Sequence, residues 1–147
     1  NSIKIMKRRP EFTIIAGPNG ASKSRLGIFY STVKAFDGDL LAMSFETNFS
    51  TDLPVNLVQD FKDAGYKISL IFFGLSSKED SLSRVIQRYT MGGHNVNQDV
   101  IEYNFTEGIK RVRASLPLFE NILFIDGTSD FGDIVAIHIE KSLPFWQ

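Results

Sequence analysis

The sequence predicts an α/β protein of three layers, with helices on both faces of a central, mostly parallel sheet. Two observations lead to this fold class. Short apolar runs of strand length alternate with segments of helical periodicity along the 147 residues, which favours parallel strands joined by helices. The run KISLIFFGL is apolar almost throughout, as expected for a strand covered on both faces of a sheet. The length suits one domain, residues 1–147.

The composition of the chain excludes several classes of function. The formal net charge is −1, so the chain has no general attraction for nucleic acid or an anionic membrane. The absence of cysteine excludes disulfides, thiolate catalysis and cysteine-ligated metals. No apolar run approaches the roughly 18 residues that a membrane span needs, and the basic KIMKRRP leads into a strand-like run without a signal-peptide cleavage site. We therefore expect a cytoplasmic protein that binds neither nucleic acid nor membranes.

The first predicted strand is FTIIA, and a helix follows it after a glycine-rich turn. Leu26, Phe29, Tyr30 and Val33 recur at the spacing of one helix face. The glycine-rich turn therefore lies between a buried strand and an amphipathic helix.

The next two runs raise a problem of connection. KAFDGD predicts a short strand ending in Asp37 and Asp39, and AMSFET predicts another with Glu46 at its tip. Only a few residues separate the two runs, whereas a parallel crossover needs about a dozen or more. Either these strands are not parallel neighbours, or a segment of roughly 20–40 residues, enough for a crossover helix, is missing between about Leu40 and Ala42. We favour the missing segment.

The second half of the chain repeats the alternation. PVNLVQDFKDAGY predicts a helix with Pro54 at its start and Gly65 at its stop, before the central strand KISLIFFGL. NILFID predicts a late strand, and DIVAIHI an edge strand. Two further helices are expected, one with an apolar stripe that stops at Gly92-Gly93 and one from about Gln98 to Val112; the stripe consists of Leu82, Val85, Ile86 and Tyr89.

The stretch AGPNGASKSRL is close to the phosphate-binding pattern G-x-x-x-x-G-K-[ST], with Ser22 in place of the last glycine. Such loops direct backbone N–H groups and a helix N-terminus at phosphates, while Lys23 would reach the β- and γ-phosphates and Ser24 would bind Mg²⁺. The alternative is a strand–turn–helix whose glycines only make the turn. The predicted nucleotide-binding residues are Gly17, Pro18, Asn19, Gly20, Ala21, Ser22, Lys23 and Ser24.

Two carboxylates and two arginines are further candidates. Asp39 and Glu46 end predicted strands at the carboxyl edge of the sheet, where ligands bind in open α/β folds. Asp39 could accept a proton from a hydroxyl, although a turn or cap role is also open; for Glu46 the alternative is a salt bridge at the rim. Arg84 and Arg88 share one helix face and could close over a triphosphate, or could be solvated.

Other polar residues gave weaker signals. His94 has no second ligand at metal spacing, so we predict no histidine metal site, and His138 is expected in the core or on an edge strand. The Asp126-Gly127-Thr128 run could pack a nucleotide base, but ordinary turn chemistry explains it equally well.

Taken together, these motifs resemble one family. IIAGPNGASKS, FDGD, SFETNFS, AGYKISLIFFGLSS, SRVIQRYTMGGHNV and LFIDGTSD occur in the order seen in zeta-toxin-like proteins, from about Pro10 to Asp130. Those proteins are P-loop kinases, the best known being toxins of bacterial toxin–antitoxin pairs. The resemblance implies a P-loop NTPase fold of the kinase type with a helical lid, ATP and Mg²⁺ as cofactors, phosphorylation of the 3′-hydroxyl of the sugar in UDP-N-acetylglucosamine, and a separate antitoxin chain as partner.

The resemblance also assigns roles to individual residues. It implies that Lys23 binds the phosphates and assists catalysis, that Asp39 is the catalytic base, and that Arg84 or Arg88 contacts the γ-phosphate. The acidic site residue of the family matches Glu46, and the substrate-binding positions are then Glu46, Thr47 and Asn48.

Two departures from the family pattern bear on function. Many relatives have glycine at the position of Ser22, and an arginine-rich run where this chain has Glu102-Tyr103-Asn104-Phe105. A kinase acting on another small hydroxylated metabolite, and an ATP-binding switch or interaction module without phosphotransfer, therefore remain open beside the UDP-sugar kinase.

Overall fold

The computed structural model describes residues 9–24, 26–27, 42–92, 97–128 and 132–139. They form a five-stranded sheet of order β2-β1-β3-β4-β5. The first four strands are parallel and β5 is antiparallel to β4, so the predicted α/β class and mostly parallel sheet are confirmed. The strands are β1 (Glu11–Ala16), β2 (Ala42–Thr47), β3 (Lys67–Gly74), β4 (Asn121–Asp126) and β5 (Asp133–Ile139).

The strand register brings the carboxyl ends of the parallel strands to one edge. Ala16, the last residue of β1, pairs with Thr47 at the end of β2 and with Phe72 near the end of β3. Gly74 pairs with Asp126 at the end of β4. Because the glycine-rich loop follows Ala16 directly, that loop and the residues after β2 open onto the same edge.

Apart from the helical residues that follow the glycine loop, the described residues contain three helices, α1 (Leu53–Asp63), α2 (Lys78–Thr90) and α3 (Gln98–Ser115), and a 3₁₀ turn, Leu116–Leu118. Ser77 caps α2 by accepting a hydrogen bond from Asp80 N, which satisfies one of the free N–H groups of the first turn. Gly65, which has φ 88°, ends α1 as predicted. Among the helices that the structure describes, none has the length and apolar character for a membrane span.

The core has one part on each face of the sheet, because successive residues of a strand point to opposite faces. Ile68 and Leu70 of β3 pack in the cluster that includes Val58 of α1 and Val112 of α3. Ile71 and Phe73 pack on the opposite face, in a second cluster. The prediction that β3 is a central strand covered on both faces is therefore confirmed.

The apolar stripe predicted for α2 is wrong in part. Val85 is buried, but Ile86 and Tyr89 are each 53% exposed. The face of α2 that turns inward instead carries Ser81 and Val85 beside Arg84, because this helix packs on the glycine loop as well as on α3. Contact with a polar loop selects small and hydrogen-bonding residues over large apolar ones.

The connection from β1 to its parallel neighbour β2 runs through residues 17–41, which exceeds the dozen or so residues that a parallel crossover needs. Residues 23, 24, 26 and 27 are helical, in agreement with a helix after the glycine loop. The remainder of that helix, the predicted strand with Asp37 and Asp39, and the expected missing segment near 40–42 lie outside the described residues. These three expectations stay predictions.

Candidate active site

A cavity of about 520 Å³ opens at the carboxyl edge of the sheet. It brings together the glycine loop, the end of β2 and one arginine of α2, so most of the residues singled out from the sequence converge in space. The lining residues are Asn19, Gly20, Ala21, Ser22, Lys23, Ser24, Glu46, Thr47, Asn48 and Arg88. Asp39 and His94 lie outside the part of the chain that the structure describes.

The glycines of the loop are required by space and conformation. A Cβ at Gly17 would overlap the carbonyl oxygen of Phe73, and a Cβ at Gly20, where φ is 82°, would lie 2.8 Å from the Cβ of Arg84. The loop is therefore packed between β3 and α2.

Ser22 has the backbone shape of the glycine that it replaces. Its φ is 66°, in the left-handed region that costs a residue with a Cβ roughly 1–2 kcal/mol. The loop thus keeps the conformation that a glycine would allow, and Ser22 adopts it with a strained backbone. Nothing in the sequence pattern showed this conformation, because a small side chain alone does not define φ.

Lys23 is 9% exposed, and the three donors of its ammonium group are all used. Nζ donates to the carbonyl oxygens of Gly17 and Pro18, the latter at 3.0 Å, and to Asn48 Oδ1 at 2.7 Å. Burial lowers the pKa of Lys23 to about 8; Glu46 opposes this shift and Arg88 adds to it. A buried ammonium bonded only to neutral oxygens is a site that favours the arrival of an anion.

Ser24 and Glu46 both line the cavity and place a hydroxyl beside a carboxylate. Ser24 Oγ donates to Glu46 Oε1 at 3.0 Å, and both side chains are exposed. Within the described ranges no group of three or more histidine, cysteine or acidic residues could hold a metal by itself. Magnesium often takes only one or two protein ligands and fills its other positions with phosphate oxygens and water, so this pair fits Mg²⁺ beside a bound phosphate.

The two arginines of α2 have different environments. Arg84 is half-buried; its Nη1 donates to Gly127 O at 2.8 Å and to Gly20 O at 3.3 Å, and its Nη2 donates to Thr128 O at 2.7 Å. Its guanidinium therefore joins the glycine loop to the turn after β4. Arg88, one helical turn further, is exposed and lines the cavity.

The turn after β4 is built by local hydrogen bonds. Asp126 Oδ1 accepts bonds from the backbone N–H of Thr128, at 2.9 Å, and from its hydroxyl. These bonds lower the pKa of Asp126. Ordinary turn chemistry therefore accounts for Asp126 and Thr128, which was one of the two interpretations of the sequence. His138 is exposed on β5, the edge strand at this side of the sheet.

The segment after β2 is held in a fixed shape. Phe49 is fully buried with φ 59°, and its N–H donates to Thr47 Oγ1 at 2.9 Å. The buried ring anchors the segment, and the turn places the Asn48 side chain on Lys23.

Sequence reasoning missed Asn104 of α3. This side chain is 9% exposed and contacts Asn19 of the glycine loop. The available signal was a polar residue three positions after Ile101, inside the buried face of α3.

Known structures share this fold. A chain of the AvrRxo1-ORF1:ORF2 complex, solved with ATP, matches with a TM-score of 0.61 and 16% identity, over 91% of this chain and 60% of that one. A chain of the PezAT chromosomal toxin–antitoxin system of Streptococcus pneumoniae matches with a TM-score of 0.56 and 15% identity, over 88% and 72%. At these identities the likeness establishes the fold.

Sequence comparison adds one relative. No family model matches the chain. An uncharacterised protein of Haemophilus influenzae is 24% identical over 85 residues, which are 58% of each protein. The chain thus spans 58% of that relative and 60% of the AvrRxo1 chain.

Proposed function

We propose that the protein is an ATP-dependent phosphotransferase of the zeta-toxin type, which phosphorylates a hydroxyl of UDP-N-acetylglucosamine or a related small metabolite. One observation carries the proposal: the buried Lys23 ammonium faces a cavity that also contains an exposed arginine, Arg88, and an exposed carboxylate, Glu46. A fold relative solved with ATP supports the choice of nucleotide.

The loop is suited to hold a triphosphate. Its glycines pack closely against β3 and α2, and residues 19–24 line the cavity, where backbone N–H groups can bind phosphate oxygens. Lys23 would exchange neutral carbonyl and amide acceptors for anionic phosphate oxygens, so its ammonium group would gain partners of opposite charge. Arg88, which also lines the cavity, would meet the terminal phosphate.

Ser24 and Glu46 are the residues that would hold Mg²⁺. An ion held there would supply positive charge beside the phosphates of ATP. The Ser24 hydroxyl donates to Glu46 at 3.0 Å, so the two oxygens lie side by side.

The reaction we propose joins an acceptor hydroxyl to the γ-phosphorus. The new bond forms between the acceptor oxygen and phosphorus, the bond from phosphorus to the β–γ bridging oxygen breaks, and ADP leaves. The hydroxyl proton passes to a carboxylate, for which we propose Asp39. Glu46, Thr47 and Asn48 lie beside the phosphate loop, where carboxylate, hydroxyl and amide groups can bind the hydroxyls of a sugar.

A second function class has an observation in its favour. Arg84 is bound to three backbone carbonyls, so of the two α2 arginines only Arg88 lines the cavity. Such a site could bind ATP as a switch or interaction module without transferring phosphate. By analogy with PezAT, we also propose a separate antitoxin chain as partner.

The test is transfer of labelled phosphate from Mg-ATP to a panel of UDP-sugars and other small hydroxylated acceptors. The kinase proposal predicts labelled product with at least one acceptor, abolished in Lys23→Ala but kept in Lys62→Ala, which removes an exposed lysine of α1. ATP binding without transfer to any acceptor would favour the switch instead.

A further inference from the structure

Helix α3 carries a polar residue within its buried face. That face consists of Ile101, Asn104, Gly108, Val112 and Ser115. A buried amide destabilises a fold unless both of its ends are hydrogen-bonded. Asn104 meets this condition: Nδ2 donates to Asn19 Oδ1 at 2.9 Å, and Oδ1 accepts from Ser50 Oγ at 2.7 Å. The side chain therefore joins the glycine loop to the segment that follows β2.

Asn19 is fixed from two helices at once. Its side-chain oxygen accepts from Asn104 of α3, while its carbonyl oxygen accepts from Ser81 Oγ of α2. Asn19 also lines the cavity. Because Oδ1 is committed to Asn104, and no residue of the described ranges accepts from Nδ2, the amide keeps two N–H donors for a ligand.

The same face of α3 sets the position of Asn48. A Cβ at Gly108, one turn after Asn104, would overlap the Asn48 carbonyl oxygen, so the helix backbone lies directly against this residue. The Asn48 side chain in turn accepts from Lys23 Nζ. One turn of α3 thus contacts both the glycine loop and the segment that carries the proposed acceptor-binding residues.

We propose that Asn104 is a positioning residue for polyphosphate binding: its bond to Asn19 holds the third residue of the phosphate loop, and the Asn19 amide donors, toward the phosphates of a nucleotide. The inference rests on the proposed nucleotide site but not on phosphotransfer. Without the bond, the loop must become ordered when the ligand binds. The apparent affinity is then the intrinsic affinity multiplied by the fraction of molecules whose loop already has the binding conformation.

The test is the affinity for Mg-ATP, measured by calorimetry on Asn104→Leu, Asn19→Ala and the double variant. Asn104→Leu removes both hydrogen bonds of this side chain, and loss of the one that orders the loop predicts about a tenfold weaker Kd. Because Asn104 acts through Asn19, the Kd of the double variant should be at most about twofold higher than the Kd of Asn19→Ala alone. Asn19→Ala cuts the same bond from the loop side without disturbing the core of α3. Thr106→Val, a polar-to-apolar change at an exposed position of α3, should bind as the wild type does.

Ser50→Ala separates positioning from packing. It removes the other hydrogen bond of Asn104, so it should lower the melting temperature while Kd stays within about threefold of wild type. Wild-type affinity in a folded Asn104→Leu, independent losses that multiply in the double variant, or a tenfold loss in Ser50→Ala would each overturn the proposal. Failure of the wild type to bind Mg-ATP would overturn this inference and the proposed function together, whereas binding without transfer would overturn only the kinase.

Discussion

The inner and outer parts of the cavity are built in opposite ways. In the inner part, Lys23 is buried with all its donors used, and Asn19 is held by two helices. In the outer part, Ser24, Glu46 and Arg88 are exposed, and the Ser24 hydroxyl donates a hydrogen bond to Glu46. On the proposal that this cavity binds ATP, the fold holds the phosphate-binding groups in place, whereas the groups proposed to act on the γ-phosphate and the acceptor are exposed.

The largest effect is expected at the proposed base. Asp39→Asn should keep Mg-ATP binding and lose at least about 10²-fold in phosphotransfer, because an amide cannot take the acceptor proton. Asp37→Asn, two residues earlier, is the matched control and should do much less. Transfer that survives in Asp39→Asn would remove this residue from the mechanism and leave the nucleotide site as proposed.

The two arginines of α2 extend the comparison between groups that the fold holds in place and groups that are exposed at the cavity. Arg88→Ala should lower kcat by about tenfold or more with a smaller rise in KM for ATP, because a guanidinium stabilises the charge that develops during transfer. Arg84→Ala should instead destabilise the fold by about 2 kcal/mol, since it leaves partly buried carbonyl groups without their charged donor.

Steady-state kinetics and thermal unfolding distinguish the two roles. Arg84→Lys is the control, because lysine cannot form the same fork of bonds and should recover little stability. An unchanged melting temperature together with a large loss of kcat in Arg84→Ala would reverse the two assignments.

Lys23 makes ATP affinity depend on pH in a definite direction. Its pKa is lowered to about 8, and bound phosphate favours the charged form, so affinity should weaken as pH rises above about 8. Titrations between about pH 7 and 9.5 should show this decline in the wild type and none in Lys23→Arg, which stays charged. A flat profile in the wild type would mean that Lys23 remains protonated throughout.

The lowered pKa of Lys23 affects stability without ligand in the opposite direction to affinity. The folded state gives up the Lys23 proton near pH 8, whereas the unfolded chain keeps it to about 10.5. The unfolded state therefore binds more protons between these values, and this group raises the free energy of unfolding as pH rises through that window.

The smallest effect is expected at Ser22. Glycine relieves the left-handed strain, roughly 1–2 kcal/mol, but adds entropy to the unfolded chain, so Ser22→Gly should raise stability by about 1 kcal/mol or less. Mg-ATP affinity should be equal or slightly better. Ser44→Gly, at an exposed position of β2, should lower stability. A clear loss of affinity in Ser22→Gly would give the hydroxyl a role of its own.

Much of the fold was predictable because its signals are local. The apolar run of β3 and the Pro54 and Gly65 boundaries of α1 follow from periodicity and backbone preferences. The loop was recognisable because its residue types are fixed by space against Phe73 and Arg84.

The details of the site depend on packing that no local pattern contains. Arg84 and Arg88 have the same chemistry and lie one turn apart, yet only the tertiary structure sets carbonyls around the first and the cavity beside the second. Asn104 is 85 residues from Asn19 in sequence, so the bond between them is visible only after the chain has folded.

The central claim, that the inner part of the cavity is prepared for the phosphates of ATP, is tested most directly by calorimetric titration of Mg-ATP into the wild type and Lys23→Ala, with Lys62→Ala as control. We predict saturable binding by the wild type and the control, and at least about 10²-fold weaker binding by Lys23→Ala with its fold intact, because the variant loses charge-assisted bonds to the phosphates. Equal affinity in the wild type and Lys23→Ala would contradict the account.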